Sequence, residues 1–293
     1  MRRRVVGTNL RRIRERLGMT LEDAARELSC HPAKISRIEA GRSGVRQLDL
    51  RVLLDLYGVT DPEERAGWLA LARESREQRW WRVLENRLPQ EFVDLAGLED
   101  EITMCRGFQP GIVPGLFQTE EYAAAVIREG RTGVLNPVQQ DKLHLRLERQ
   151  KALARDRPAP LDVWMILGEA ALRQQLGGEE VLRRQLSHLV EVARLPNVTV
   201  QVLPFTSSAV PSGPYPFLLY SFPSPIDLEV ALLENFTGHT YLEAREDTEP
   251  LRAAFDHLRA CALSPLDSEA MILRIRDEPA ASRERSPHAR AGQ

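Results

Sequence analysis

Between Pro32 and Arg46 the residue types and their spacing point to chemistry of recognition rather than of bond making. With successive residues about 100° apart around a helix, Ala33, Ser36, Arg37 and Ala40 lie opposite Ile35 and Ile38, and Lys34 falls on one flank. An arginine on such a face can hold guanine O6 and N7 with both arms, and a small Ala33 lets the helix sit deep or touch a thymine methyl. Lys34, Ser36, Arg42 and Arg46 suit phosphate oxygens, which fix register without reading sequence. Glu39 lies on the inward flank and is expected to pair with an arginine of the protein. A plain helical bundle with a basic face is the competing account, and the elements around the segment bear on the choice.

Those elements read as short helices. Leu10, Ile13 and Leu17 form one apolar stripe, with Arg11, Arg12, Arg14, Glu15 and Arg16 on the other faces, and Gly18 ends the run. Thr20 and Asp23 have near capping-box spacing before a stripe of Leu21, Ala24, Ala25 and Leu28. After the turn Ser29-Cys30-His31, Pro32 occupies a first helical position and Gly41 stops the helix. A fourth helix is expected from Gln47 to Tyr57 with Leu48, Val52, Leu53 and Leu56 inward. A fifth, from Asp61-Pro62 to about Gln78, is expected to join two domains. The small Ala25 fits where two helices cross, with Ile35 and Ile38 pinning the second. This is the spacing of a helix-turn-helix, whose second helix enters the major groove.

Charge agrees with that reading. Residues 1–57 hold thirteen Arg/Lys against seven Asp/Glu, a net of +6, so the other 236 residues carry −8. A basic head on an acidic body is the expected footprint of a nucleic-acid binder. The apolar fraction of 43% and charged fraction of 28% are those of a folded globular chain. No run approaches the ~18 apolar residues of a membrane span, Tyr215–Phe222 being far shorter. Arg2-Arg3-Arg4 is followed by charge, not by the apolar stretch of a signal peptide, and a cytoplasmic location is expected. These arginines are either an arm along phosphates or the minor groove, or a mobile terminus. Cys30, Cys105 and Cys261 have no paired spacing and read as free, buried thiols.

From Trp80 onward β-type runs appear at Leu161–Leu167, Val198–Pro204, Pro216–Phe222 and Leu228–Leu233, with a short one at Thr240–Leu242. Helices are expected over Glu120–Glu129, Val138–Arg155, Glu179–Leu195, Leu251–Leu263 and from Ser264-Pro265 to about Arg276. Strands and helices mix without regular alternation, so the class expected is α+β: an all-α helix-turn-helix domain over 1–79, a larger α+β regulatory domain over 80–276 and a disordered tail over 277–293. Six histidines without HExxH or Cys/His ligand spacing argue against a metal, and no GxSxG, P-loop or GxGxxG suggests catalysis or a cofactor. Asp94, Glu99, Asp100 and Glu101 are expected on a solvated helix face. The loop with Pro110, Ile112, Val113, Leu116 and Phe117, leading to Tyr122, is either a ligand or partner groove or a buried connection, and the latter is preferred.

The segment MTLEDAARELSCHPAKISRIEAG (Met19–Gly41) resembles the Cro/repressor-type (XRE) helix-turn-helix. It departs from that pattern at Ser29, where glycine is common, and at His31, which replaces a serine cap and sits within reach of DNA. Trp80-Trp81, PGIVPGLFQTEEYAAAVIR (Pro110–Arg128), LPNVTVQVLPF (Leu195–Phe205) and EVALLENFTGHTYLE (Glu229–Glu243) resemble the long C-terminal domain of the actinobacterial WhiJ-like, antitoxin-like regulators. The resemblance implies a transcription factor, often encoded beside a small partner protein, in development or antibiotic production, without catalytic residues. A homodimer on double-stranded DNA is expected, because one short helix reads too few base pairs. For the C-terminal domain a partner-protein module is preferred over a small-molecule sensor, and a fused hydrolase has no constellation behind it.

Overall fold

The computed structural model describes residues 2–72, 80–84, 86–128, 133–156, 159–207, 215–222, 229–235 and 238–278. The head comprises α1 (Arg2–Arg16), α2 (Leu21–Glu27), α3 (Pro32–Glu39), α4 (Gln47–Leu56) and α5 (Pro62–Ala72). Its core gathers Val6, Leu10, Ile13, Ala24, Ala25, Ile35, Ile38, Leu50, Leu53, Leu54, Trp68 and Leu71. Three expectations change. The Arg2-Arg3-Arg4 backbone is the first turn of α1, not an extended arm. The apolar stripe of α1 is Val6, Leu10 and Ile13, while Leu17 lies past the helix and is exposed. In α4 the inward set is Leu50, Leu53 and Leu54, with Leu48 77% exposed. Five leucines in ten residues satisfy more than one helical stripe, and packing against α2 and α5 selects this one. The expected continuation of the fifth helix to Gln78 lies outside the described residues.

The body is built on one six-stranded sheet. Its helices and strands are, in chain order, α6 (Gln90–Glu99), β1 (Met104–Gln109), α7 (Glu120–Ile127), α8 (Pro137–Gln150), β2 (Asp162–Gly168), α9 (Glu169–Arg173), α10 (Glu179–Ala193), β3 (Val198–Leu203), β4 (Phe217–Ser221), β5 (Glu229–Asn235), β6 (Gly238–Leu242), α11 (Arg245–Cys261) and α12 (Pro265–Asp277). The strand order is β3-β2-β1-β4-β5-β6. β1, β2 and β3 are parallel and joined through helices, whereas β4, β5 and β6 form an antiparallel run. A helical head followed by a mixed α and β domain is thus the fold class expected, although its first half alternates strand and helix.

Side-chain alternation divides the sheet into two faces. Cys105, Val163, Met165, Val200, Leu218, Tyr220 and Leu232 share a core with Leu98 of α6, Tyr122 of α7, Leu186 of α10 and Ile272 of α12. Phe108, Ile166, Phe217, Leu219 and Ala231 face the opposite way and pack on Phe255 and Leu258 of α11. β1 was not expected as a strand, yet it occupies the middle of the sheet. Arg106, Gly107 and Gln109 break its apolar pattern, and the sheet explains two of them directly. A Cβ at position 107 would come within 2.5 Å of the Phe217 carbonyl and the Leu218 side chain, so only glycine fits. Arg106 reaches across β4 to Glu229 at 2.5 Å.

Capping signals in the sequence mark real helix starts. Asn136 and Gln139 form a capping box on α8, Thr119 accepts from Tyr122 N–H, and Ser264 accepts from Asp267 N–H. α11 begins six residues before the expected Leu251 and carries Pro250 in its second turn, where proline removes one backbone donor without ending the helix. At the far end, Asp277 closes α12 and Glu278 pairs with Arg173 at 2.8 Å, so the structured chain passes the expected start of the tail. Residues 279–293 lie outside the described residues. The three cysteines are free, with Cys105 fully buried and Cys30 and Cys261 half-buried.

Candidate nucleic-acid interface

The site is α3 and what holds it. Thr20 caps α2 reciprocally with Asp23, the Asp23 amide donating to the hydroxyl at 3.1 Å and the Thr20 amide to the carboxylate at 2.9 Å. Donation to the carboxylate from the Thr20 amide and hydroxyl, ahead of weaker help from Arg26, holds the Asp23 carboxyl below its usual range. The turn between α2 and α3 puts Ser29 at φ +48°, a left-handed conformation that glycine adopts more cheaply. His31 then caps α3, its Nδ1 accepting from Ala33 N–H at 3.2 Å. With Nδ1 an acceptor, the exposed ring presents Nε2–H as a donor beside the first turn.

From this start Ile35 and Ile38 are buried, while Ala33, Ser36, Arg37 and Ala40 are exposed together. Gly41, at φ +66°, ends the helix, and the amides of Arg42 and Ser43 both donate to the Arg37 carbonyl at 2.9 and 3.2 Å. That fold-back fixes where the exposed Arg42 leaves the helix end. Arg46, also exposed, stands at the N-cap of α4. Among the described residues no carboxylate comes within ion-pair distance of Arg37, Arg42 or Arg46. Lys34 differs: it is half-buried, with its Nζ 2.7 Å from Asp49 Oδ2. Its ammonium ties α3 to α4, so the phosphate contact expected of it would compete with Asp49.

Two more residues decide how α3 is presented. Arg14, expected on an outer face of α1, is buried and donates through Nε and Nη2 to Glu39 at 2.7 and 2.9 Å, with Nη1 on the Met19 carbonyl at 2.7 Å. It stands at i+4 from Leu10, on the apolar stripe itself, and it is the arginine that Glu39 was expected to find. The bond to Glu39 raises the Arg14 guanidinium further, against the opposing effect of burial. Burial, reinforced by Glu39, pushes the neighbouring Tyr57 phenol up to about 12. At Gly7 a Cβ would lie 2.2 Å from the Ile38 carbonyl oxygen, so α1 crosses the back of α3 at contact distance. Sequence reasoning placed the close crossing at Ala25 and missed Gly7; a glycine inside a helix beside Val6 and Leu10 was the available signal.

In the body, the loop with Pro110, Ile112, Val113, Leu116 and Phe117, running on to Tyr122, packs largely into the core. Val113, Leu116, Phe117 and Tyr122 are buried, and Pro110 and Ile112 are half-buried. Gln118 donates to the Val113 carbonyl at 2.7 Å, and Gln185 bridges the Phe117 carbonyl and the Thr119 amide at 2.6 and 2.7 Å. This packing is what a buried connection asks of these residues. The acidic group on α6 also needs correction. Glu99 is buried, not solvated, and takes both arms of Arg149 at 2.5 and 2.7 Å beneath the Tyr220 hydroxyl.

A family model described as a helix-turn-helix domain matches residues 5–68. A second, described as a domain of unknown function (DUF5753), matches residues 92–274. No curated protein and no solved structure matches the chain. Among the described residues no helix is long and apolar enough to cross a membrane. With the second match covering more than half of its length, the chain belongs to the DUF5753 family, joined here to an N-terminal helix-turn-helix domain.

Proposed function

We propose that the chain is a cytoplasmic, sequence-specific transcription regulator that seats α3 in the major groove of duplex DNA and works by binding, not catalysis. The observation that carries this is the outer face of α3, where Arg37 stands exposed between Ala33, Ser36 and Ala40 with no carboxylate engaged. Arg37 reads guanine, Ala33 meets a thymine methyl or permits deep seating, and Ser36, Arg42, Arg46 and the Nε2–H of His31 hold phosphates. Lys34 joins them only by leaving Asp49. The protein acts as a homodimer on a pseudo-palindromic or repeated operator, which supplies the base pairs one helix cannot read. A dimer that neutralises about six to ten phosphates loses ~10³- to 10⁵-fold in affinity between 50 and 200 mM salt. Titration of a selected operator over that range tests the reading, and a flat response overturns it.

For the body, the resemblance to antitoxin-like regulators of development or antibiotic production supports a module that binds a small partner protein and changes DNA binding. Co-purification with the product of the adjacent small gene is the test. A second reading, a small-molecule sensor, is favoured by one observation: buried polar atoms without partners on the β6 side of the sheet.

A further inference from the structure

On the sheet face that meets α6 and α8, the body keeps a group of polar side chains that its own bonds do not satisfy. Along α8, Lys142, Arg146 and Arg149 recur at i, i+4 and i+7 and so share one side of the helix. Arg149 is neutralised by Glu99. Lys142 places its Nζ 4.5 Å from the centre of the Phe92 ring. Arg146 lies between them and donates to the neutral Gln118 at 2.7 Å; among the described residues no carboxylate comes within ion-pair distance of it. Burial, helped by the charge of Arg149, holds its guanidinium down to about 10, against an opposing pull from Glu234. A half-buried guanidinium with no carboxylate bonded to it is unusual, because partly desolvated charges are ordinarily paired.

Opposite α8, His239 and Tyr241 project from the same side of β6, and His239 is in register with Glu234 of β5. His239 stacks edge-on to Phe92 at 5.8 Å and to Tyr241 at 6.5 Å. Glu234 accepts from Gln109 at 3.1 Å and lies 3.8 Å from His239 Nε2. Yet His239 Nδ1 and the Tyr241 hydroxyl are both buried with no hydrogen-bond partner among the described residues. Glu234 links the two groups, acting on Arg146 and facing His239, so two unsatisfied polar atoms, an unpaired guanidinium and a wall of three rings share one face, the donor set and flat surface of a ligand site.

We infer that this face binds a small organic carboxylate, its anionic group taken by Arg146 and the Tyr241 hydroxyl and its flat apolar part lying along Phe92 and His239. Glu234 acts on Arg146 only at a distance, so the planar guanidinium remains open to a carboxylate held by both arms; a phosphate dianion would bring a second negative charge toward Glu234. The inference rests on the sensor reading of the body and is independent of how the head meets DNA.

The test is fluorine NMR on the full-length chain with 4-fluorobenzoate, with uncharged 4-fluorobenzamide and inorganic phosphate as comparisons. Saturable binding of the benzoate in the low millimolar range or tighter is expected, with none of the amide and no displacement by phosphate. Arg146→Gln should weaken binding roughly tenfold or more, Arg146→Lys should restore part of it, and the isosteric Tyr241→Phe should weaken it without unfolding the body. The site is refuted by an absent or non-saturable response. It is equally refuted by displacement with phosphate, or by an affinity that neither Arg146→Gln nor Tyr241→Phe alters. None of those results touches the salt dependence of operator binding, so the failure of this site and the failure of the DNA reading are separable.

Discussion

Head and body each contain a buried, two-armed arginine–glutamate pair, and they use it differently. In the head, Arg14 and Glu39 bind α1 to the end of α3, while Arg37, Arg42 and Arg46 just outside are left to solvent. In the body, Glu99 and Arg149 bind α6 to α8 over Tyr220, and most surrounding arginines are engaged too: Arg106 with Glu229, Arg173 with Glu169 and Glu278, Arg194 with Glu269. Many arginines of the body are paired within it, Arg146 and Arg274 being exceptions among the described residues, and those of the α3 face are not. Unspent charge, more than total charge, marks the surface built for a polyanion.

The largest way to break this comparison is to remove one acid from each pair. Glu39→Ala and Glu99→Ala each leave an arginine buried and alone and should cost about 3–5 kcal/mol. Thermal unfolding with amide exchange should show the head opening in the first variant and the sheet helices in the second. Loss of the same region in both would mean that the pairs are not local devices.

Next comes the contrast between free and spent cations on α3. Arg37→Ala should cost roughly 1–3 kcal/mol of operator affinity and relax one base preference at unchanged melting temperature. Lys34→Ala should cost up to about 1 kcal/mol of stability by releasing Asp49, with little change in base preference. Footprints and melting curves of both variants decide, and the reverse pattern would assign the groove face wrongly.

Tyr57 sharpens the comparison through pH. A phenol raised from its usual value near 10 to about 12 in the folded state stabilises the fold fully below pH ~10. That contribution is lost as pH rises toward 12. The Tyr57 hydroxyl also lacks a hydrogen-bond partner. Tyr57→Phe should therefore be neutral or stabilising by about 1 kcal/mol at neutral pH and should flatten the alkaline fall in stability. Stability against pH for both proteins tests it. The smallest effect belongs to the turn: Ser29→Gly should raise stability by up to about 1 kcal/mol, because the left-handed backbone costs serine more than glycine. No change in melting temperature would show the strain absent.

What could be read from the sequence follows how local each signal is. Thr20 with Asp23, Asn136 with Gln139 and Ser264 before Pro265 announce helix starts because a cap is made by residues three apart. The outer face of α3 was legible because periodicity decides it once Ile35 and Ile38 are inside. Arg14 was not, since its burial depends on Glu39 far along the chain. β1 was hidden for a similar reason: Gly107 is required by a neighbour on β4 more than a hundred residues later. Leu48 was misplaced because a helix with leucine on several faces leaves the choice to its partners. The loop before Tyr122 carried two readings that only the packing of Gln118 and Gln185 separates.

One step of α1 has a consequence for how the two halves communicate. Gly7 touches the carbonyls at the end of α3, and the next residue, Thr8, donates to Glu243 at 2.8 Å. Glu243 lies two positions beyond Tyr241, at the exit of the edge strand. The mechanical distance from the sheet of the body to the back of the reading helix is thus a single peptide unit. A displacement of that strand end has no slack in which to dissipate: it either breaks the threonine contact or arrives at the helix.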